Sequence, residues 1–141
     1  MEWVTAVLGF ALGLLSSYLA LRVQRSWQRK DDRRYTEQVL KNLGIEIHEG
    51  LERARYMANL AVEGSESFGR IYTGLWDSSS QRLAATLEDA GTMALLHRIY
   101  YRFALINFNC DQGRAGAGGA FAAEYLSELE ASLQELQSRV P

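Results

Sequence analysis

A single cysteine, a single proline and two histidines in 141 residues set the first limits. One cysteine cannot close an intramolecular disulfide, and no Cys/His group has zinc-ligand spacing, so neither a metal site nor a cofactor is expected. One proline argues against a loop-rich all-β fold, whose turns consume several. No charge excess of either sign marks the whole chain: 15 Lys+Arg stand against 17 Asp+Glu, a net charge of −2. With 48% hydrophobic and 23% charged residues, long disorder and collagen-like composition are both excluded. No internal repeat is visible, and no period-2 run is long enough to mark a strand. Helical periodicity is left, and the sequence predicts an all-α protein.

The first feature present is an apolar run. From Trp3 to Leu21 the 19 residues WVTAVLGFALGLLSSYLAL carry no charged side chain. At ~1.5 Å per residue this helix reaches ~28 Å, close to the ~30 Å of a bilayer's hydrocarbon core. The competing reading is a cleaved signal peptide. Its positive charges belong before the apolar run, where only Glu2 stands, and cleavage after Ala20 would put Tyr18 where a small residue is required. The run is therefore read as a single retained transmembrane helix. Arg22, Arg25, Arg29, Lys30, Arg33 and Arg34 come directly after it, offset by Asp31 and Asp32. Positive flanks stay on the cytoplasmic side, which predicts an outward N-terminus and a cytoplasmic C-terminal domain at the inner membrane. These basic residues either set topology alone or also hold anionic lipid headgroups. Thr5, Gly9, Gly13 and Ser17 recur every four residues, a ridge of small side chains along which a second helix can approach closely. The alternative is a lone helix whose glycines face lipid.

Residues 35–141 read as a small cytoplasmic helical bundle, with 1–22 as the transmembrane helix and 23–34 as a basic juxtamembrane segment. Removing the six juxtamembrane bases leaves nine Lys+Arg here. Removing Glu2, Asp31 and Asp32 leaves 14 Asp+Glu, so the bundle is net −5. That sign is wrong for generic nucleic-acid binding, and no nucleic-acid partner is expected. Leu40, Leu43, Ile47, Ala54, Met57 and Ala61 predict a helix over about 31–62 that would run on from the span, weakened by Gly44 and Gly50. The Gly64–Ser67 segment predicts a break. A short helix over about 73–85 comes next, with Thr73 at its N-cap and Leu75, Trp76 and Leu83 as apolar anchors. A third spans about 89–109, with Leu96, Ile99, Phe103, Ile106 and Cys110 as a buried stripe widened by Leu95, Leu105 and Phe108. The glycines of 113–119 predict a hinge. The last helix, about 120–139, carries Ala122, Leu126, Leu129, Leu133, Leu136 and Val140 in 4-3-4-3-4 spacing, a heptad seam that buries itself in the bundle or against a second copy.

Catalytic chemistry finds no residues to carry it, and no enzyme is expected. Cys110 falls on an apolar stripe, where a thiol packs as a small hydrophobe. Glu46, His48, Glu49 and Glu52 lack the E-x-x-H and H-E-x-x-H spacings of metal sites and read as a solvated face. The glycines of 113–119 follow no strand and lack the Lys-Ser/Thr of a phosphate loop. A ligand is best sought around His97–Arg102. Arg98 and Arg102 share a face, Tyr101 lies beside them, and Asn107 and Arg114 would add polar contacts, a set suited to a phosphate or nucleotide through forked hydrogen bonds and stacking. The alternative pairs these arginines with Glu128, Glu130 or Glu135 of a neighbouring helix.

The pattern Leu75-Trp76-Asp77, Leu87, Leu96, Tyr100 and Asn107 resembles a helical region of small bacterial, often membrane-anchored proteins of unassigned function. The resemblance covers about residues 73–107 and implies a bacterial, cytosol-facing helical domain without catalytic residues. Two functional readings are open. The first is a membrane-anchored interaction protein that self-associates through its span and bundle and offers an acidic helical surface to a protein partner. The second is a ligand-responsive membrane effector, in stress or antiviral defence, that binds a phosphate-bearing messenger at Arg98 and Arg102.

Overall fold

A computed structural model of the chain describes residues 2–63, 69–111 and 117–140; the side chains of residues 2–11, 62 and 117 are also outside the described set. Those residues form four helices and no strand: α1 (Glu2–Val62), α2 (Gly74–Thr86), α3 (Ala90–Asp111) and α4 (Ala117–Arg139). Contacts divide the chain into two units, one ending at Thr36 and the other beginning at Glu37.

The first unit is the leading part of α1. Leu12, Leu14, Leu15, Tyr18, Leu19 and Leu21 are each 50–62% exposed and spread over about half of the helix circumference, with Gly13, Ser16, Ser17 and Ala20 on the other half. Among the described residues, no helix is long and apolar enough to cross a membrane. The run from Trp3 to Leu21 begins with nine residues whose side chains fall outside that description. Of the small-residue ridge, Thr5 and Gly9 lie outside it too, Gly13 has open space where a Cβ would stand, and Ser17 is exposed.

The second unit is a helical bundle whose core follows the periodicities of the sequence. From α1, Leu43, Ile47, Ala54 and Met57 are buried; from α3, Leu95, Leu96, Ile99, Phe103 and Ile106; from α4, Ala122, Leu129, Leu133 and Leu136. Ile71 and Leu83 complete it from the connecting segment and α2. The α4 seam is thus consumed largely within the chain, with Leu126 and Val140 half-buried at its margins. Asp89 starts α3: its Oδ1 accepts the Gly91 N–H at 2.9 Å and its Oδ2 accepts the Thr92 hydroxyl at 2.5 Å. This satisfies donors that the first helical turn leaves without partners.

Four sequence expectations change. Glu46 is not solvated; it is buried at 7% exposure within the α1 stripe. Thr73 stands at the N-cap of α2, yet its hydroxyl donates to Asp77 Oδ2 (3.0 Å) and makes no cap bond to the backbone. Phe108 is 60% exposed and does not widen the core, because it lies on the side of α3 opposite Ile99, with exposed Tyr101 and Ala104. Ala117–Gly119, expected in a hinge, form the first turn of α4; a Cβ on Gly119 would lie 2.6 Å from the Met57 carbonyl oxygen, so glycine lets α4 start against α1. The remainder of that glycine-rich stretch, 113–116, lies outside the described residues.

Candidate functional site

The arginine-rich turn of α3 and the polar face of α1 are the two places with site-like chemistry, and their side chains meet different fates. Around His97–Arg102, the expected ligand set is dispersed. Arg102 turns inward: its Nη2 lies 2.9 Å from Glu128 Oε2, and its guanidinium sits 4.2 Å from the centroid of the Tyr125 ring. Stacking on an aromatic face and pairing with a carboxylate tie this guanidinium to α4, although its Nε is buried without a hydrogen-bond partner. Asn107 clamps the segment before α2, accepting the Ile71 N–H at 2.8 Å and donating to the Ile71 carbonyl at 2.8 Å. Arg114 lies outside the described residues. Arg98 and Tyr101 remain on the exposed side of α3, Tyr101 at 60% exposure. Glu130 and Glu135, the other expected carboxylates, bind Arg55 and Arg139 instead, at 2.8 and 2.9 Å.

The cluster that sequence reasoning missed centres on Glu46. Its Oε1 accepts the Tyr100 hydroxyl at 2.8 Å and the Trp76 N–H at 3.3 Å, and its Oε2 accepts the Leu75 N–H at 2.9 Å. A carboxylate from α1 therefore caps α2 across the bundle, where the helix dipole favours negative charge. Trp76 stacks flat on Tyr100 with centroids 4.6 Å apart, and His97 meets Trp76 edge-on at 5.0 Å. Burial raises the Tyr100 hydroxyl pKa above its ordinary value, and the Glu46 hydrogen bond adds to that rise. The Glu46 carboxylate and the Tyr100 hydroxyl satisfy each other, so the cluster is built for cohesion between α1, α2 and α3. The signal in the sequence was position: Glu46 stands three residues after Leu43 and four before Gly50, inside the apolar stripe.

Cys110 is half-buried near the end of α3, and burial pushes its thiol pKa up, with Asp111 adding to the effect. A protonated thiol is a poor nucleophile. Among the described residues no group of His, Cys, Asp and Glu side chains is placed to hold a metal ion.

Two exposed surfaces remain. One is the outer face of α3, where Ala90, Ala94, His97, Tyr101, Ala104 and Phe108 are all exposed and recur at 4-3-4-3-4 spacing. Such a stripe on the solvent side is the pattern of a helix seam without its partner helix. The other is α1 after the apolar run, where Arg22, Arg25, Arg29, Lys30 and Arg33 line an open groove with Tyr18 and Leu21 at its apolar end. At ~100° per residue these four arginines fall within an arc of ~80°, while Lys30 and Arg34 lie to one side. Comparison with protein-family models, curated proteins and solved structures found no match.

Proposed function

We propose that the chain is a single-pass, membrane-anchored helical assembly protein. Its N-terminal helix would sit in lipid, and its bundle would face the cytosol and pair with further copies. The observation carrying this reading is the environment of Leu12–Leu21: six large apolar side chains are exposed over half of the helix circumference, small uncharged residues fill the other half, and arginines start at the next residue. A solvated helix hides such side chains along one stripe, whereas a lipid-facing helix does not. Six basic residues against two acids between Arg22 and Arg34 favour the cytosol for the bundle.

Self-association has two supports. The Thr5, Gly9, Gly13, Ser17 ridge offers close backbone approach within lipid. In the bundle the α4 seam is already occupied, so the outer face of α3 is the surface left for a second chain, and the net charge of −5 on residues 35–141 favours a basic patch on any other protein partner. The messenger reading has less support, because Arg102 and Asn107 are committed to internal partners and only Arg98 of the paired arginines stays exposed.

The test is fractionation followed by mass measurement of the full chain. The protein should stay in the membrane pellet after an alkaline carbonate wash, and in detergent it should run as an oligomer. Tyr101→Asp with Phe108→Asp should weaken that oligomer without unfolding the bundle, since both side chains are exposed. A chain released into the wash removes the anchor; a monomer at micromolar concentration removes the assembly.

A further inference from the structure

The basic segment is not uniform, and its geometry separates residues that can touch lipid from residues that cannot. Arg22 and Arg25 have no acid between them, whereas Arg29, Lys30, Arg33 and Arg34 share their turns with Asp31 and Asp32. The uncompensated charge therefore lies next to the apolar run. Distance sharpens the division. At ~1.5 Å rise per residue, the Arg22 and Arg25 backbones lie ~2 and ~6 Å past Leu21, Arg29 ~12 Å and Arg33 ~18 Å. The headgroup layer is only about 5–8 Å thick on each side of the hydrocarbon. Helical side chains lean toward the N-terminus, which here is toward the apolar run, so a long Arg29 side chain reaches back while Arg33 falls short.

We propose that Arg22, Arg25 and Arg29, with Tyr18 and Leu21 at the apolar end of the same groove, bind the phosphate headgroup of an anionic phospholipid, and that Arg33 and Arg34 lie beyond this site. The occupant is set by the chemistry of the groove. Its far end presents guanidinium forks that match phosphate oxygens, and its near end presents a leucine and a tyrosine ring that suit the glycerol and upper acyl region. Ser26, one turn after Arg22 and also in the groove, adds a hydroxyl donor. A free phosphate would use the guanidiniums but leave Tyr18 and Leu21 without a role. This inference rests on the membrane reading and adds to it a lipid class and a set of contacts.

The experiment is native mass spectrometry of the full chain in neutral detergent, titrated with phosphatidylglycerol or with phosphatidylcholine of matched acyl chains. The wild type should retain phosphatidylglycerol in preference. With about fivefold in affinity per arginine near the surface, R22Q/R25Q/R29Q should lower that preference at least tenfold. R33Q/R34Q should change it by less than about twofold, although it removes two positive charges. Inorganic phosphate at millimolar concentration should not displace the lipid. Equal retention of the two lipids overturns the site, as does an equal loss in the inner and outer variants or displacement by phosphate. A carbonate wash of the wild type separates the two failures: a chain that stays in the pellet but shows no lipid preference sinks the headgroup site alone, and a chain found in the wash sinks the membrane reading with it.

Discussion

The two halves of α1 share one secondary structure and almost nothing else. Before Thr36, large apolar side chains from Leu12 to Leu21 are half or more exposed; after it, Leu43, Ile47 and Met57 are at 0–1%. Composition does not explain the contrast, because both halves are rich in leucine, valine and alanine. Pattern does. In the later half the apolar residues return every three or four positions, giving a stripe that other helices cover. In the earlier half the large apolar residues cover half of the circumference, small uncharged residues fill the rest, and the large ones stay exposed.

The largest effects should come from truncations that the contrast predicts will be unequal. Phe103→Ala empties a fully buried position at the centre of the bundle, edge-on to Tyr100 at 5.8 Å, and should cost about 3–5 kcal/mol in chemical denaturation. Leu15→Ala removes a comparable apolar group from an exposed position and should leave the same transition where it was. Similar losses from both would mean that the early half of α1 packs on protein. Next in size is the polar cluster. Glu46→Ala strips the cap from α2 and leaves the Tyr100 hydroxyl and two backbone N–H groups without their acceptor, a loss of about 2–3 kcal/mol. Tyr100→Phe removes one donor and keeps the cap, so a smaller loss of about 1 kcal/mol is expected in the same assay. If the two variants melt alike, the cap contributes nothing beyond the hydroxyl contact.

Much of this architecture was readable from spacing. Leu43–Ile47–Met57, Leu96–Ile99–Phe103–Ile106 and Leu129–Leu133–Leu136 each announced a buried face, because a 3.6-residue period leaves few ways to place so much apolar surface. Two of the misses share a cause, which is that periodicity says where a face points and not what meets it. Glu46 lies on the buried face but is polar, and its partners Leu75, Trp76 and Tyr100 are 29 or more residues away. Phe108 is large and apolar, yet it stands on the face opposite the stripe of Leu96, Ile99, Phe103 and Ile106 and stays exposed, so hydrophobicity without the period misplaced it. Arg102 could meet a ligand or a glutamate on equal sequence terms; only the packing of α3 on α4 brings Glu128 and Tyr125 to it.

The two glycines of α1's later half give a finer test with opposite signs. A Cβ on Gly44 would meet nothing within 4 Å, so Gly44→Ala should raise stability by about 1 kcal/mol through helix propensity. A Cβ on Gly50 would lie 2.7 Å from the Phe103 ring and 2.9 Å from Ile71 Cγ2, so the same change there should lower stability by about 1–3 kcal/mol. Thermal melts of the two variants beside the wild type decide the matter. Two shifts of the same sign would show that α1 does not approach α3 as closely at Gly50 as this packing requires.

The smallest expected effect concerns acid. Asp89 holds its carboxyl below the usual carboxylate range, chiefly because it accepts the Thr92 hydroxyl, with the Gly91 and Thr92 backbone N–H groups and the Arg139 charge adding to the shift. A group whose pKa is lower folded than unfolded stabilises the fold while it is ionised in both states. That contribution is complete above the unfolded value of about 3.9 and fades as pH falls through the lower folded value. Asp89→Asn keeps an acceptor for the start of α3 and removes the charge. Between pH 6 and pH 2.5 the wild-type urea midpoint should therefore fall further than the variant's, with the extra fall confined to the region below about pH 4. Parallel falls would mean that Asp89 acts at the start of α3 only as a hydrogen-bond acceptor. The early half of α1 has no part in this comparison, since Asp89, Thr92 and Arg139 all belong to the bundle, and Leu15→Ala should trace the wild-type acid profile.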